Sequence, residues 1–216
     1  MRIPDVKNGR ANRKQPRDSI LAVVLVLVVA IIAGIMVGNW ISWKRSSQDR
    51  LAVLDEYNGL GPRTGLTGDV SLTVTPVSMT IHYGEPVKVE LVLTNRTNRT
   101  LLLNGWLTPI PATLGNNQYP IRVMVSTHGS SVQYTGNAIL SPPHKAKDFF
   151  SLAPGASRKI SVDLSLGAGG GRWNIGSPGV YHFDVWYQTY LTGRYIGVKA
   201  WTGMTNHVVV TATVVP

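Results

Sequence analysis

Residues Ile20 to Gly38 read ILAVVLVLVVAIIAGIMVG, nineteen positions without one polar side chain. At about 1.5 Å per residue a helix of that length spans roughly 28 Å, close to the ~30 Å hydrocarbon core of a bilayer. A helix packed in a soluble core keeps a polar face, and this run has none. The sequence therefore predicts a single transmembrane α-helix over residues 20–43. A cleaved signal peptide would carry a shorter apolar stretch ending at small residues. Here the bulky segment Asn39-Trp40-Ile41-Ser42-Trp43-Lys44-Arg45 follows, so the expectation is an uncleaved signal anchor.

Charge gives that helix a direction. The formal net charge is +10, and residues 1–45 hold eight basic against two acidic side chains. Six of the basic residues, among them Arg13, Lys14 and Arg17, precede the apolar run, while Lys44 and Arg45 follow it. The excess on the N-terminal side predicts a cytoplasmic tail over 1–19 and a C-terminal domain on the periplasmic or extracellular side of the inner membrane. Trp40 and Trp43 belong at the outer headgroup level, where an amphipathic ring is favoured. The basic residues contact lipid headgroups. Nucleic-acid binding is not expected, because no nucleic-acid-binding motif accompanies the tail.

Within the apolar run, Ala30, Gly34 and Gly38 recur every four residues. Missing side chains along one stripe let a second helix approach closely, so these positions are the expected helix-packing face. Residues 44–68 are polar and contain four glycines after position 58, which predicts a linker with a short helix at most over Leu51 to Tyr57.

From Asp69 the pattern changes to period two. Val70, Leu72 and Val74 alternate with polar neighbours, as do Val77, Met79, Ile81 and Tyr83. So do Val87 to Leu93, Ile121 to Val125, Ile160 to Leu166, Tyr181 to Tyr187 and Val208 to Val214; Leu101 and Leu103 add a short run. Short alternating strands separated by turn residues predict an all-β, Ig-like antiparallel β-sandwich over 69–216. With no cysteine in the chain, neither disulfides nor thiolate metal sites hold it. Pro154-Gly155 suits a type II turn, and Pro178-Gly179 repeats the dipeptide before Tyr181, whose hydroxyl is placed to bond back to the chain as in a tyrosine corner.

GEPVKVELVLTNRTNRTLLL (84–103), TP (108–109), VQYTG (132–136), DFFSLAPGAS (148–157), VDLS (162–165) and SPGVYHFDVWYQ (177–188) occur in that order. The arrangement resembles the β-sandwich that precedes the catalytic half in deuterolysin and peptidyl-Lys metalloendopeptidases. The resemblance covers roughly residues 70–190 and implies the fold. It does not imply the protease. Those enzymes use His-Glu-x-x-His, and none of His82, His128, His144, His182 or His207 is followed by Glu.

The remaining search for chemistry returns structural readings. The scattered histidines have no metal-ligand spacing. No G-x-S-x-G occurs, and the glycine-rich Gly167 to Arg172 lacks the residues of a phosphate-binding loop, which leaves a flexible loop. Asn95-Arg96-Thr97 and Asn98-Arg99-Thr100 match the glycosylation sequon or form a hairpin turn. Late aromatics divide between core and surface. Trp173, Tyr190, Tyr195 and Trp201, with Arg194 and Lys199, are the candidate partner surface, because Trp, Tyr and Arg are common interface anchors.

The expected function is a non-catalytic, single-span accessory subunit of a larger membrane complex, with a photosynthetic or respiratory assembly as the base-rate guess. Its helix docks laterally and its sandwich braces other subunits on the periplasmic face. No enzyme activity, cofactor, metal or small-molecule substrate is expected. The alternative is a free-standing membrane-anchored binding module for sugar or for a protease.

Overall fold

The computed structural model describes residues 27–44, 65–114, 117–136 and 143–216. Arg13, Lys14, Arg17, Arg45, the cytoplasmic tail and nearly all of the linker lie outside the described residues. The chain divides into two compact units, residues 1–48 and 49–216.

In the first unit one helix, α1 (Leu27–Lys44), is long and apolar enough to cross a membrane. Its eighteen residues rise roughly 27 Å. All of them are exposed, apolar side chains included, and the Lys44 ammonium lies 5.2 Å from the centre of the Trp40 ring. Such a surface is stable in hydrocarbon and not in water.

The second unit is built from strands. In chain order they are β1 (Val70–Pro76), β2 (Thr80–His82), β3 (Lys88–Asn95), β4 (Leu101–Asn104), β5 (Pro109–Pro111) and β6 (Ile121–Thr127). Then come β7 (Ser130–Ser131), β8 (Phe149–Leu152), β9 (Ser157–Asp163), β10 (Gly179–Thr189), β11 (Gly203–Met204) and β12 (Val208–Val215). Single-turn 3-10 helices are the other helical pieces among the described residues. One sheet runs β1-β3-β9, a larger one runs β2-β12-β10-β6-β5, and β4-β8 forms a separate ribbon.

The two larger sheets share one core in a sandwich-like arrangement. Val70, Leu72, Val74, Val89, Leu91, Leu93 and Val162 come from the smaller sheet. Ile121, Val123, Val125, Tyr181, Phe183, Val185, Val210, Ala212 and Val214 come from the larger. Register fixes this: Phe183 sits opposite both Val125 and Val210, so the apolar sets of three strands share one face. The Asn206 side chain joins the sheets at one edge. Its Oδ1 accepts from the Leu72 N–H at 3.0 Å and its Nδ2 donates to the Leu72 carbonyl at 2.9 Å.

Several expectations need correcting. The sheets are not wholly antiparallel, because β2 runs parallel to β12 and β5 parallel to β6. The alternation over 77–83 yields only a three-residue edge strand. Ile81 alone turns inward, and Val77, Met79 and Tyr83 are exposed. The sequon at Asn95 is not a hairpin turn, since β3 and β4 belong to different sheets. The Asn95 side chain is fully buried, donating to the Arg99 and Leu152 carbonyls and accepting from the Thr97 N–H and hydroxyl. An amide with those bonds caps the crossing between sheets and is inaccessible to a glycosyl transfer.

The Pro154-Gly155 turn has the expected form, with Gly155 at φ 69 and the Ala156 N–H donating to the Ala153 carbonyl. Gly179 instead opens β10. The Tyr181 hydroxyl donates to the Ser177 carbonyl at 2.9 Å, the tie-back its position suggested. The glycine-rich stretch is packed, not loose. The Leu166–Arg172 bridge and a Gly167 N–H to Gly171 carbonyl bond close it, and the Tyr134 hydroxyl donates to the Ala168 carbonyl.

Candidate functional site

Arg194, Lys199 and Trp201, three of the six candidate partner-surface residues, come together on the wall of a cavity of about 320 Å³. Arg99, Thr100, Leu101, Leu102, Thr192 and Ala200 complete it. The cavity sits where the end of the β3–β4 crossing meets the loop after β10.

Local structure places each contributor. Arg99 and Thr100 follow the Asn95-capped turn, where the Arg99 carbonyl accepts from Asn95 Nδ2 at 2.7 Å and from the Thr97 hydroxyl at 3.0 Å. Across from them the chain leaves β10 and closes a tight loop. The Ala200 N–H donates to the Thr192 carbonyl, and the Ile196 and Val198 N–H groups donate to the Gly193 carbonyl. Gly193 and Gly197 hold φ of 70 and 75, a region glycine enters without a Cβ penalty. A Cβ on Gly193 would also lie 2.2 Å from Val198 Cγ2. The loop thereby holds Arg194 and Lys199 on its two limbs. The Trp201 N–H donates to the Leu102 carbonyl at 2.8 Å and ties the loop to β4.

Trp201 is a wall, not an exposed anchor. It is 3% exposed, packed in the core, and its Nε1–H donates to Asp69 Oδ2 at 3.2 Å. Gly65 lies against the same indole, its N–H bonded to the Thr202 carbonyl at 2.7 Å, so a side chain there would collide with the ring. Trp173 is likewise a core residue at 5% exposure, with its ring edge-on to Tyr134 at 5.0 Å and away from this cavity. Both rings were candidates for a partner surface as well as for the core. Both are consumed by the sandwich, since burying an indole removes more apolar area from water than burying nearly any other side chain. Tyr190 and Tyr195 are half-buried and do not line the cavity.

The electrostatics of the cavity are one-sided. Arg99, Arg194 and Lys199 are exposed, and no carboxylate among the described residues lines it. Among the described residues the ion pairs are Lys159–Glu90 and His207–Asp184, both elsewhere. Three like charges around one concavity repel one another, and an anion entering it relieves that repulsion.

A second polar cluster lies inside the fold around Asn104. Its Nδ2 donates to the Gln118 carbonyl, its Oδ1 accepts from the Trp106 N–H, and its own carbonyl accepts from the Tyr187 hydroxyl. His144 Nε2 is 3.3 Å from Asn104 Oδ1. The His144 ring is 1% exposed and stacks on Trp106 at 3.9 Å, and its Nδ1 has no hydrogen-bond partner among the described residues. Burial pushes its pKa down to about 4, against smaller opposing effects of Asp148 and the Gln118 backbone. A neutral imidazole is what this pocket holds. Burial also pushes the Tyr187 hydroxyl up, and it lowers the pKa of Arg122, against a smaller effect of Tyr190. The Arg122 guanidinium donates to the Leu114 carbonyl and Asn117 Oδ1. Apart from His144 Nδ1, these bonds tie together a buried polar end of the sandwich.

His82 and His182 are exposed, bonded to the Pro216 carbonyl and the Thr211 hydroxyl. No group of three metal-ligating side chains occurs among the described residues. The helix stripe of Ala30, Gly34 and Gly38 is exposed, and nothing lies within 4 Å of a Cβ built on either glycine. No family model matches the chain, and no curated protein matches it either.

Proposed function

We propose that this protein is a non-catalytic, single-span accessory subunit of a larger membrane complex. The observation that carries the reading is α1, an apolar helix exposed on every face and bearing a stripe of small residues. In a bilayer such a helix gains from packing against another helix along the side where backbones approach most closely. The basic excess before the helix supports an N-terminus in the cytoplasm and a domain on the periplasmic side. The Tyr181–Ser177 tie-back and the shared core of two sheets support assigning that domain to the Ig-like sandwiches.

A photo-crosslinking residue at Val37, beside the Gly34 stripe, should capture one partner of defined mass in native membranes. The same residue at Ile32, on the opposite face, should give only lipid adducts. Equal lipid labelling at both positions would sink the reading.

The cavity at Arg194 and Lys199 favours a second reading, a free-standing binding module presented by a membrane anchor. Under it neither position captures a protein partner, and ligand binding survives in a chain purified to homogeneity.

A further inference from the structure

We infer that the cavity lined by Arg99, Arg194 and Lys199 is a binding site for a dianionic phosphomonoester. This holds whether the chain is a subunit or a free-standing module, since it concerns only the second compact unit.

The first argument is charge. Two guanidiniums and one ammonium surround a single concavity, and no carboxylate among the described residues lines it. Asp69, the acid bonded to the Trp201 indole, does not line it. An isolated surface cation needs no explanation. Three around one concavity add their positive potentials in one place. A dianion matches that potential better than the single charge of a carboxylate.

The second argument is the kind of donor. Guanidinium groups present paired N–H donors in a fixed fork that suits phosphate oxygens, and Lys adds a point charge. Thr100 contributes a hydroxyl on the same wall.

The third argument is construction. The cations come from segments 95 to 100 residues apart, and each is held by its own backbone device. Arg99 follows the buried Asn95 cap. Arg194 and Lys199 lie on a loop closed by two left-handed glycines and bonded through Trp201 to β4. The backbone that carries the donors is therefore fixed before a ligand arrives, which limits the ordering to the side chains. Leu101, Leu102, Ala200 and Trp201 supply an apolar wall for the body of the ligand, and about 320 Å³ accommodates a phosphate with a small polyol attached.

A phosphomonoester reaches such a site either on a lipid, as in phosphatidic acid, or as a soluble ester. Purified full-length protein in uncharged detergent at low salt is titrated calorimetrically with glycerol 3-phosphate and with mixed micelles containing phosphatidic acid. Saturable 1:1 binding to at least one is expected. Binding only to the micelles identifies the lipid source, and binding to both with equal affinity identifies the soluble ester. Arg99→Gln and Arg194→Gln should each weaken binding roughly tenfold, and raised salt should weaken it further. Arg158→Gln, an exposed cation on β9 outside the cavity, should leave it unchanged. The inference is overturned if neither probe saturates, if the triple variant R99Q/R194Q/K199Q binds as the natural chain does, or if succinate binds as tightly as glycerol 3-phosphate.

Discussion

Tyr134 occupies the space that a side chain on Gly167 or Gly171 would need: a Cβ on Gly171 would lie 2.2 Å from its hydroxyl oxygen and 2.5 Å from Gly136 Cα. Gly171→Ala should therefore cost on the order of 1–3 kcal/mol, as other forced overpacking does, measured by chemical denaturation followed through tryptophan fluorescence. His144 makes a pH-dependent prediction. Its folded pKa of about 4 lies below the ordinary histidine value of 6.5. Between those values the unfolded chain binds the proton first, so stability falls as pH drops from about 6.5 to about 4 and levels off below. The full loss is about 3 kcal/mol by the linkage relation. His144→Phe keeps a ring against Trp106 and should remove that part of the acid sensitivity; an unchanged slope between pH 6.5 and 4 would contradict the assignment. None of this was legible in the sequence. A lone histidine and a run of glycines have the same letters in a solvated loop as in a packed one. Their partners, Asn104 and Tyr134, are more than thirty residues away.

At the scale of elements, the strands that period-two alternation marked are those with one buried face. Val70 to Val74, Val89 to Leu93, Tyr181 to Tyr187 and Val208 to Val214 fall in β1, β3, β10 and β12 with their apolar residues in the core. The pattern misled over 77–83, because a three-residue edge strand paired on one side gives little reason to bury more than Ile81. β5, β7, β8 and β11 went unseen, being two to four residues long. A third of the candidate cavity's lining was legible, namely Arg194, Lys199 and Trp201. Arg194 and Lys199 stood out among late aromatics, whereas Arg99 and Thr100 arrive there only because the Trp201 N–H pairs with Leu102. Asn206→Ala removes both hydrogen bonds to Leu72 and leaves two backbone groups at the β1 edge without them. It should cost about 1–3 kcal/mol, read as a lower denaturation midpoint with an unchanged slope. On α1, Gly34→Leu should weaken association with a neighbouring helix and leave insertion intact, because leucine favours the bilayer and blocks only close approach.

For the whole molecule, the +10 charge divides into two parts with different work. The larger share flanks the apolar helix and, under the proposed reading, sets its direction in the bilayer. The rest lies in residues 46–216, where three cations of the domain meet in one cavity. The domain itself has no cysteine, so sheet packing and buried hydrogen bonds such as those of Asn95 and Asn104 hold it together. The central claim, that the chain works as a subunit through its helix, is tested most directly by native mass spectrometry of the full chain extracted in gentle detergent. The expected spectrum contains this chain bound to at least one other protein in fixed stoichiometry, and the double variant Gly34→Leu/Gly38→Leu releases it. A spectrum in which the natural chain flies alone or with lipid only would contradict the account.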